Sequence, residues 1–151
     1  MSTNSKNDYE NPSGIYSKNE ISLEQAIDSL KSHPEIAKVG SILTFTGIVR
    51  ATSLTGKKVS GMKIDAYEEI ANQKISSICQ ELKASEGIIE VIIIHFKGEF
   101  EISDDLVYVI VGSSHREEGF KTLREAVEAY KKQLTVWKKE IYEDGNSEWI
   151  D

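Results

Sequence analysis

The chain has 151 residues, enough for one domain to bury a sizeable core without disulfides or metal. Its 39% hydrophobic and 28% charged residues are typical of a globular protein, and no apolar run approaches the roughly 20 residues of a membrane-spanning helix. The net charge of −7 argues against nucleic acid as a general partner, because phosphate backbones require a basic face. Residues 1–20 are polar and lack the pattern of a signal peptide, so we expect a disordered tail, a domain over 21–151 and a cytoplasmic location.

The first predicted element is a helix that opens at Ser22, where SLEQ has the pattern of a capping box, and that ends before His33-Pro34. β-Branched residues predict a strand over 38–50, and alternation around 62–66 predicts a half-buried strand after a loop. A second helix is expected over 69–85.

The most hydrophobic stretch, IIEVIIIHF at 88–96, predicts a central strand, and LVYVIVGSS at 106–114 should pair with it after a short turn. Apolar residues spaced by three or four from Phe120 to Trp137 predict one long amphipathic helix, or a helix whose final turn loosens at Thr135-Val136. The order α-β-β-α-β-β-α predicts an α+β single domain with a mainly antiparallel sheet and a long C-terminal helix.

A single cysteine, Cys79, lies at helical spacing among apolar residues and is predicted to be a core residue. One cysteine excludes an internal disulfide and a cluster of thiolate ligands, and the three histidines are too dispersed for a metal site. Motifs of nucleotide hydrolysis, zinc proteolysis and serine hydrolysis are also absent from the sequence. We therefore predict no metal and no cofactor.

Positive charge is concentrated near the end of the chain, where seven Lys or Arg stand against four Glu between His115 and Lys139. On a continuous helix, Lys131 and Lys138 would lie on nearly the same side, about 10 Å apart. Such lysines either cover the edge of the core or hold an ammonium in a partly desolvated cleft, where it can shuttle protons. Periodicity alone favours the first alternative.

The segment GSSHREEGF places His115 and Arg116 between a strand and a helix start, where backbone N–H groups are unpaired and can bind an anion. The alternative is that Ser113 or Ser114 merely caps the helix. Arg50 is a third cation at a strand end, and taken alone it is expected to be solvated. His95, within a hydrophobic strand, is expected to be a hydrogen-bonded core histidine.

Six short motifs follow one another along the chain: FTGIVR (45–50), YEE (67–69), IHFKGE (94–99), SSHREEGF (113–120), VWKKE (136–140) and the closing GNSEWID. Together they resemble the family of large, catalytic subunits of molybdopterin synthase. Each is weak alone, but their order and spacing are specific, and the resemblance covers residues 21–151. Two departures affect the fine geometry, since Phe96 stands where the family usually has arginine and Thr135 where it commonly has proline.

The resemblance implies an α/β hammerhead fold and a sulfurtransferase that acts in molybdenum cofactor biosynthesis. By resemblance, a small ubiquitin-like carrier brings sulfur as a C-terminal thiocarboxylate, and two transfers to cyclic pyranopterin monophosphate form molybdopterin. The resemblance also implies a homodimer within a heterotetramer. Lys131 and Lys138 would be catalytic, while Arg50, His115 and Arg116 would hold the pterin phosphate and Trp137 would pack the pocket wall.

Two other functions remain open at the level of sequence. The first is a non-catalytic module that binds a small ubiquitin-like partner, although a docking surface does not need all five cationic residues. The second is a domain that binds a phosphorylated small ligand through His115 and Arg116 alone.

Overall fold

The computed structural model describes residues 8–150, which form one α+β domain. The bounds of its helices and strands, in chain order, are β1 Gly14–Ser17, α1 Leu23–Lys31, β2 Ser41–Ile48, β3 Val59–Ala66, α2 Glu68–Lys83, β4 Ile88–Glu101, β5 Asp105–Ser113, α3 Arg116–Gln133, β6 Val136–Tyr142 and β7 Ser147–Ile150. A short 3-10 helix, Ile36–Lys38, precedes β2. Within the described range, no helix has the length and apolar character needed to cross a membrane.

The sheet has the strand order β2-β5-β4-β3-β6-β7, with antiparallel pairs throughout. The one parallel pair among the described strands is β1 with β4, where Gly14 lies opposite Ile94. β1 therefore covers a part of the β4 edge that β3, which pairs with residues 98–101, leaves open. The predicted α+β class and mainly antiparallel sheet are confirmed.

β4 is buried on both faces, which explains its continuous hydrophobic run. Val91 and Ile93 face a core cluster built with α2 and α3. Ile92 and Ile94 face a second cluster built with α1. Burial of each such side chain contributes about 1.5–3 kcal/mol to folding. This central position of β4 and its pairing with β5 confirm the sequence prediction.

The structure confirms the predicted capping box at the start of α1 and the predicted end of this helix. Ser22 accepts a hydrogen bond from the backbone N–H of Gln25, and the Gln25 side chain accepts one from the Ser22 N–H, which completes the predicted capping box. The helix ends at Lys31, before His33, as expected.

Two predictions at the ends of the chain were wrong. The expected tail over 1–20 is corrected for residues 14–17, which form β1, so the domain begins before residue 21; residues 1–7 lie outside the described residues. The bounds of the predicted long helix are also corrected: α3 ends at Gln133, shortly before the loosening that the second alternative placed at Thr135-Val136, and two further strands follow it. Leu134 already has an extended backbone, and the following Thr135, Val136 and Trp137 favour a strand.

Candidate active site

Lys131 and Lys138 line one pocket at the junction of α3 and β6. The pocket, called here the lysine pocket, has a volume of about 140 Å³ and is lined by His95, Tyr130, Lys131, Leu134, Val136 and Lys138. The sequence analysis correctly placed the two lysines near each other, but its reason, a continuous helix, was wrong. Lys131 lies in the last turn of α3, whereas Lys138 lies on β6.

The strand geometry of β6 explains how Lys138 reaches the pocket. Successive side chains of a strand alternate between its faces, so Leu134, Val136 and Lys138 point to one side of the extended segment. Lys138 pairs in register with Ile64 of β3, which is a buried core residue. Lys138 is therefore half-buried at the edge of the core, with its side chain in the lysine pocket.

The electrostatic state of Lys138 differs from that of a surface lysine. Burial lowers its pKa, and the positive charge of Lys131 lowers the pKa further. None of the six side chains that line the pocket is a carboxylate. Among residues 8–150, no Asp or Glu lies within ion-pairing distance of either lysine. The pocket thus concentrates positive charge without an internal counter-ion, which suits an anionic ligand.

Two further side chains of the pocket come from the core. His95 is 1% exposed, and its Nδ1 lies 3.0 Å from the carbonyl oxygen of Phe96, as expected for a hydrogen-bonded core histidine. Tyr130 lies edge-on to the His95 ring, with 5.9 Å between ring centroids. Burial raises the pKa of the Tyr130 hydroxyl to about 12, so this phenol is neutral at physiological pH.

His115 and Arg116 lie at the opposite end of α3 from the lysine pocket. Arg116 is the first residue of α3, and the fifteen residues from there to Lys131 span about 22 Å. Both side chains are exposed and line an open pocket of about 540 Å³. The His115 Nδ1 lies 3.4 Å from the Glu118 carboxylate, while the Ser113 hydroxyl donates to the His115 carbonyl instead of capping α3. Within one chain, this pair does not meet the lysines.

Arg50 lies at the same end of the sheet as the lysine pocket. It follows β2, whose Gly47 pairs with Val107 of β5, and Val107 also pairs with His95 on the other side. The Arg50 side chain is exposed and does not line the lysine pocket. Arg50 therefore does not form the wall of this pocket.

Trp137 also lies outside the lining of the lysine pocket. It stands between Val136 and Lys138 on β6, so its side chain projects to the other face of the strand. There it packs edge-on against Tyr67, with 4.9 Å between ring centroids, and remains 40% exposed. The wall position that the sequence analysis gave to Trp137 is occupied by Val136.

The sequence analysis did not assign His95 and Tyr130 to the site. Their proximity to the lysines depends on the packing of α3 against β4, a long-range contact with no local signal. The departure at Phe96 has a structural explanation, because Phe96 is buried and packs edge-on against Tyr108. The cation that follows it in the sequence, Lys97, lies 2.7 Å from the Glu68 carboxylate and does not line the lysine pocket.

No group of three or more potential metal-ligating side chains occurs within residues 8–150. The lining of the lysine pocket offers two ammonium groups, a neutral phenol and an imidazole. Such a site can bind anions, stabilise developing negative charge and move protons.

Comparisons with known proteins identify the family to which the chain is similar. A family model described as MoaE protein matches residues 16–133. A molybdopterin synthase catalytic subunit from Halalkalibacterium halodurans is 35% identical over 130 residues, covering 86% of this chain and 80% of that protein. A probable molybdopterin synthase from Haloferax volcanii is 32% identical over 82% of this chain, which spans only 48% of that relative's length.

Solved structures give the same fold. A crystal structure of molybdopterin synthase from Staphylococcus aureus superposes with a TM-score of 0.77 at 30% identity, covering 91% of this chain and 96% of the other. A complex of subunits 1 and 2 of molybdopterin-converting factor from Helicobacter pylori superposes with a TM-score of 0.72 over 91% of this chain and 89% of that chain. Its identity of 15% supports the fold alone.

Proposed function

This chain belongs to the MoaE family of molybdopterin synthase catalytic subunits, and we propose that it transfers sulfur from a thiocarboxylated carrier protein to cyclic pyranopterin monophosphate, which yields molybdopterin. The observation that carries this proposal is the lysine pocket, which the half-buried Lys138 and the exposed Lys131 line together without a carboxylate. Both reactants bring negative charge, one as a thiocarboxylate and the other as a phosphate.

The proposed roles of the lysines follow from their environments. A charge in a partly desolvated pocket interacts more strongly with an anion than one in bulk water, so both lysines would stabilise negative charge that develops during transfer. The lowered pKa of Lys138 makes its ammonium a better proton donor near neutral pH than an ordinary lysine. Lys138 would therefore serve as the proton shuttle and Lys131 as the fixed charge beside it.

The sulfur donor in this proposal is a small ubiquitin-like carrier subunit whose C-terminal tail enters the lysine pocket. The pocket is narrow, at about 140 Å³, and fits an extended chain end better than a folded surface. In Helicobacter pylori, a chain with the fold of this protein is part of a complex of subunits 1 and 2 of molybdopterin-converting factor, so the proposal likewise includes a second, different subunit.

His115 and Arg116 would hold the pterin phosphate, with Arg50 assisting. Because about 22 Å of helix separates Arg116 from Lys131, a single small substrate does not reach both within one chain. The proposal therefore includes a homodimer in which each lysine pocket receives His115 and Arg116 from the other copy, within a heterotetramer that contains two carriers.

Mixed dimers test this arrangement. A Lys131→Ala copy is co-expressed with an Arg116→Ala copy, and turnover is measured below saturating substrate. If the two groups come from different chains, one site of each mixed dimer has both Lys131 and Arg116, so turnover should be restored at that site. Mixed dimers with no more than half the turnover of the Arg116→Ala homodimer would contradict the shared site, because that is the result if each site takes both groups from one chain.

A cytoplasmic location is part of the proposal. The described residues contain one free cysteine, the buried Cys79, as expected for a protein that folds in a reducing compartment. Cell fractionation with an antibody against the chain would test this location.

The function itself is tested by mixing the purified chain with thiocarboxylated carrier and the cyclic pterin. The proposal predicts formation of a dithiolene-containing pterin. A chain that binds the carrier but forms no dithiolene would be the non-catalytic module, and a chain that binds only the phosphorylated ligand at His115 and Arg116 would be the phosphate-binding domain.

A further inference from the structure

Tyr130 is a buried tyrosine whose hydroxyl is not used inside the protein. All six tyrosines of the chain lie within residues 8–150. The hydroxyls of four of them donate to oxygen atoms of the chain: Tyr9, Tyr16, Tyr108 and Tyr142. Tyr67 is 67% exposed and can donate to solvent. Tyr130 is 4% exposed, and within residues 8–150 its hydroxyl meets no hydrogen-bonding group, since burial alone raises its pKa.

The unused hydroxyl of Tyr130 has access to the lysine pocket. Within residues 8–150, no fully buried side-chain nitrogen or oxygen lacks a partner, so a hydroxyl without one reaches open space. The open space that Tyr130 lines is the lysine pocket, which it shares with Lys131 and Lys138. The hydroxyl thus adds a neutral hydrogen-bond donor to the two ammonium groups.

The packing around Tyr130 fixes the direction of this donor. Its ring lies edge-on to His95 and belongs to the core cluster that includes Leu134. Its backbone carbonyl accepts a hydrogen bond of 3.0 Å from the Leu134 N–H, which holds the end of α3. A packed tyrosine ring presents its hydroxyl with little loss of conformational entropy on binding, because its side chain has only two torsions.

We propose that Tyr130 is a substrate-binding residue of the lysine pocket, whose hydroxyl donates a hydrogen bond to the acyl oxygen of the carrier's C-terminal thiocarboxylate. This inference rests on the proposed function and names a contact within that same site. Oxygen is a stronger acceptor than sulfur, so a fixed O–H group selects the oxygen and leaves the sulfur free to react. The two ammonium groups remain available to the negatively charged sulfur.

A neutral phenol suits this contact better than a third charged group. A third ammonium would lower the pKa of Lys138 further, and a phenolate would repel the thiocarboxylate. Burial raises the pKa of Tyr130 to about 12, so its hydroxyl remains a hydrogen-bond donor at physiological pH. The pocket can therefore hold the acyl oxygen without a change in its own net charge.

The first test compares the stability of Tyr130→Phe with that of Tyr108→Phe. Both tyrosines are 4% exposed, but the Tyr108 hydroxyl bonds to Asp105 within the chain. Tyr130→Phe should unfold within about 1 °C of the wild type, whereas Tyr108→Phe should unfold about 3 °C lower because it loses an internal hydrogen bond. An equal loss of stability in Tyr130→Phe would show that its hydroxyl is bonded inside the protein and would overturn the proposal.

The second test measures carrier binding by calorimetry. The ligands are the carrier subunit in its ordinary carboxylate form, which has the same acyl oxygen, and the same carrier shortened by its last two residues. Tyr130→Phe should bind the full-length carrier about tenfold more weakly than the wild type does, because a hydrogen bond to a charged group is lost. Both proteins should bind the shortened carrier equally, and Tyr108→Phe should match the wild type with both ligands. Lys131 is exposed, so solvent screens its charge and its contribution to this affinity should be smaller.

Equal affinity of Tyr130→Phe and the wild type for the full-length carrier would overturn this proposal alone. A wild type that binds both forms of the carrier equally would also overturn the entry of the tail into the lysine pocket. If Tyr130→Phe does not fold, carbon-13 at the Cζ atom of tyrosine gives the decision in the unaltered protein. The NMR signal of Tyr130 should shift with the full-length carrier and not with the shortened one, and an unchanged signal would overturn the proposal.

Discussion

The two ends of α3 carry the same kind of charge in opposite settings. At the C-terminal end, Lys138 is half-buried beside Lys131, without a carboxylate, and its pKa is lowered. At the N-terminal end, Arg116 is exposed and His115 lies beside Glu118. Burial and the lack of a counter-ion give the first end the means to move protons and stabilise charge, whereas the second end can only attract and orient an anion.

Replacement of Lys131 by alanine tests the C-terminal end of α3, where we expect the largest effect on turnover. Loss of one of two ammonium groups that stabilise developing charge should reduce dithiolene formation by at least about 100-fold. Carrier binding and the thermal unfolding temperature should remain near the wild-type values, because Lys131 is an exposed residue in the last turn of α3. Lys132→Ala is the matched control, and an equal loss of turnover in that variant would refute a specific role for Lys131.

Replacement of Arg116 by alanine tests the other end. One exposed cation that contacts a phosphate should contribute about tenfold to substrate affinity, with a smaller effect on carrier docking. Calorimetry with the pterin and with the carrier separately would measure both. Arg124→Ala, an exposed arginine on the same helix, serves as the control. A loss of carrier binding in Arg116→Ala with unchanged pterin affinity would contradict this assignment.

The coupling of the two lysines gives a prediction on pH. The charge of Lys131 contributes to the lowered pKa of Lys138, so Lys131→Met should raise that pKa. The measurement is acetylation of the Lys138 amine by acetic anhydride across a pH series, followed by mass spectrometry, and its pH midpoint should move upward. Labelling of Lys139, on the other face of β6, should not change. A midpoint that stays in place would show that burial alone lowers the pKa.

The smallest expected effect is on stability. The lowered pKa of Lys138 means that its charged form is less favourable in the folded protein than in the unfolded chain, so the charged side chain lowers the free energy of unfolding. Lys138→Met should therefore raise the unfolding temperature by about 3 °C at neutral pH. The folded protein releases the Lys138 proton at a lower pH than the unfolded chain does. The stability of the wild type relative to Lys138→Met should therefore rise as pH increases from the lowered pKa toward 10.5, which unfolding curves at several pH values would show.

The sequence predicted the elements whose signals are local. The capping box at Ser22 and the hydrophobic run of β4 depend on neighbouring residues, and both were identified correctly. β1 was missed because its pairing with β4 joins residues about 80 positions apart, and a short polar segment gives no periodic pattern. The end of α3 was placed too late, at Thr135-Val136 or beyond, because Leu134 and Trp137 continue the helical spacing, although the backbone becomes extended after Gln133.

The sequence predicted only the part of the candidate site that depends on the spacing of residues close together in the chain. The spacing of Lys131 and Lys138 suggested a common position, and a helix followed by a strand brings them to one pocket as a continuous helix would have done. The spacing could not reveal that His95 lies beside them or that Trp137 points away, since both depend on which face of β4 or β6 a residue occupies.

Lys138 and Lys139 offer the most direct test of the lysine pocket as the place of sulfur transfer. They are adjacent on β6, but Lys138 lines the pocket while Lys139 lies over the ring of Trp149 on the other face. The measurement is the rate of dithiolene formation by Lys138→Ala and Lys139→Ala with thiocarboxylated carrier and cyclic pterin. We expect Lys138→Ala to lose at least about 100-fold and Lys139→Ala to stay within about threefold of the wild type. Equal rates in the two variants would contradict the assignment of the reaction to this pocket.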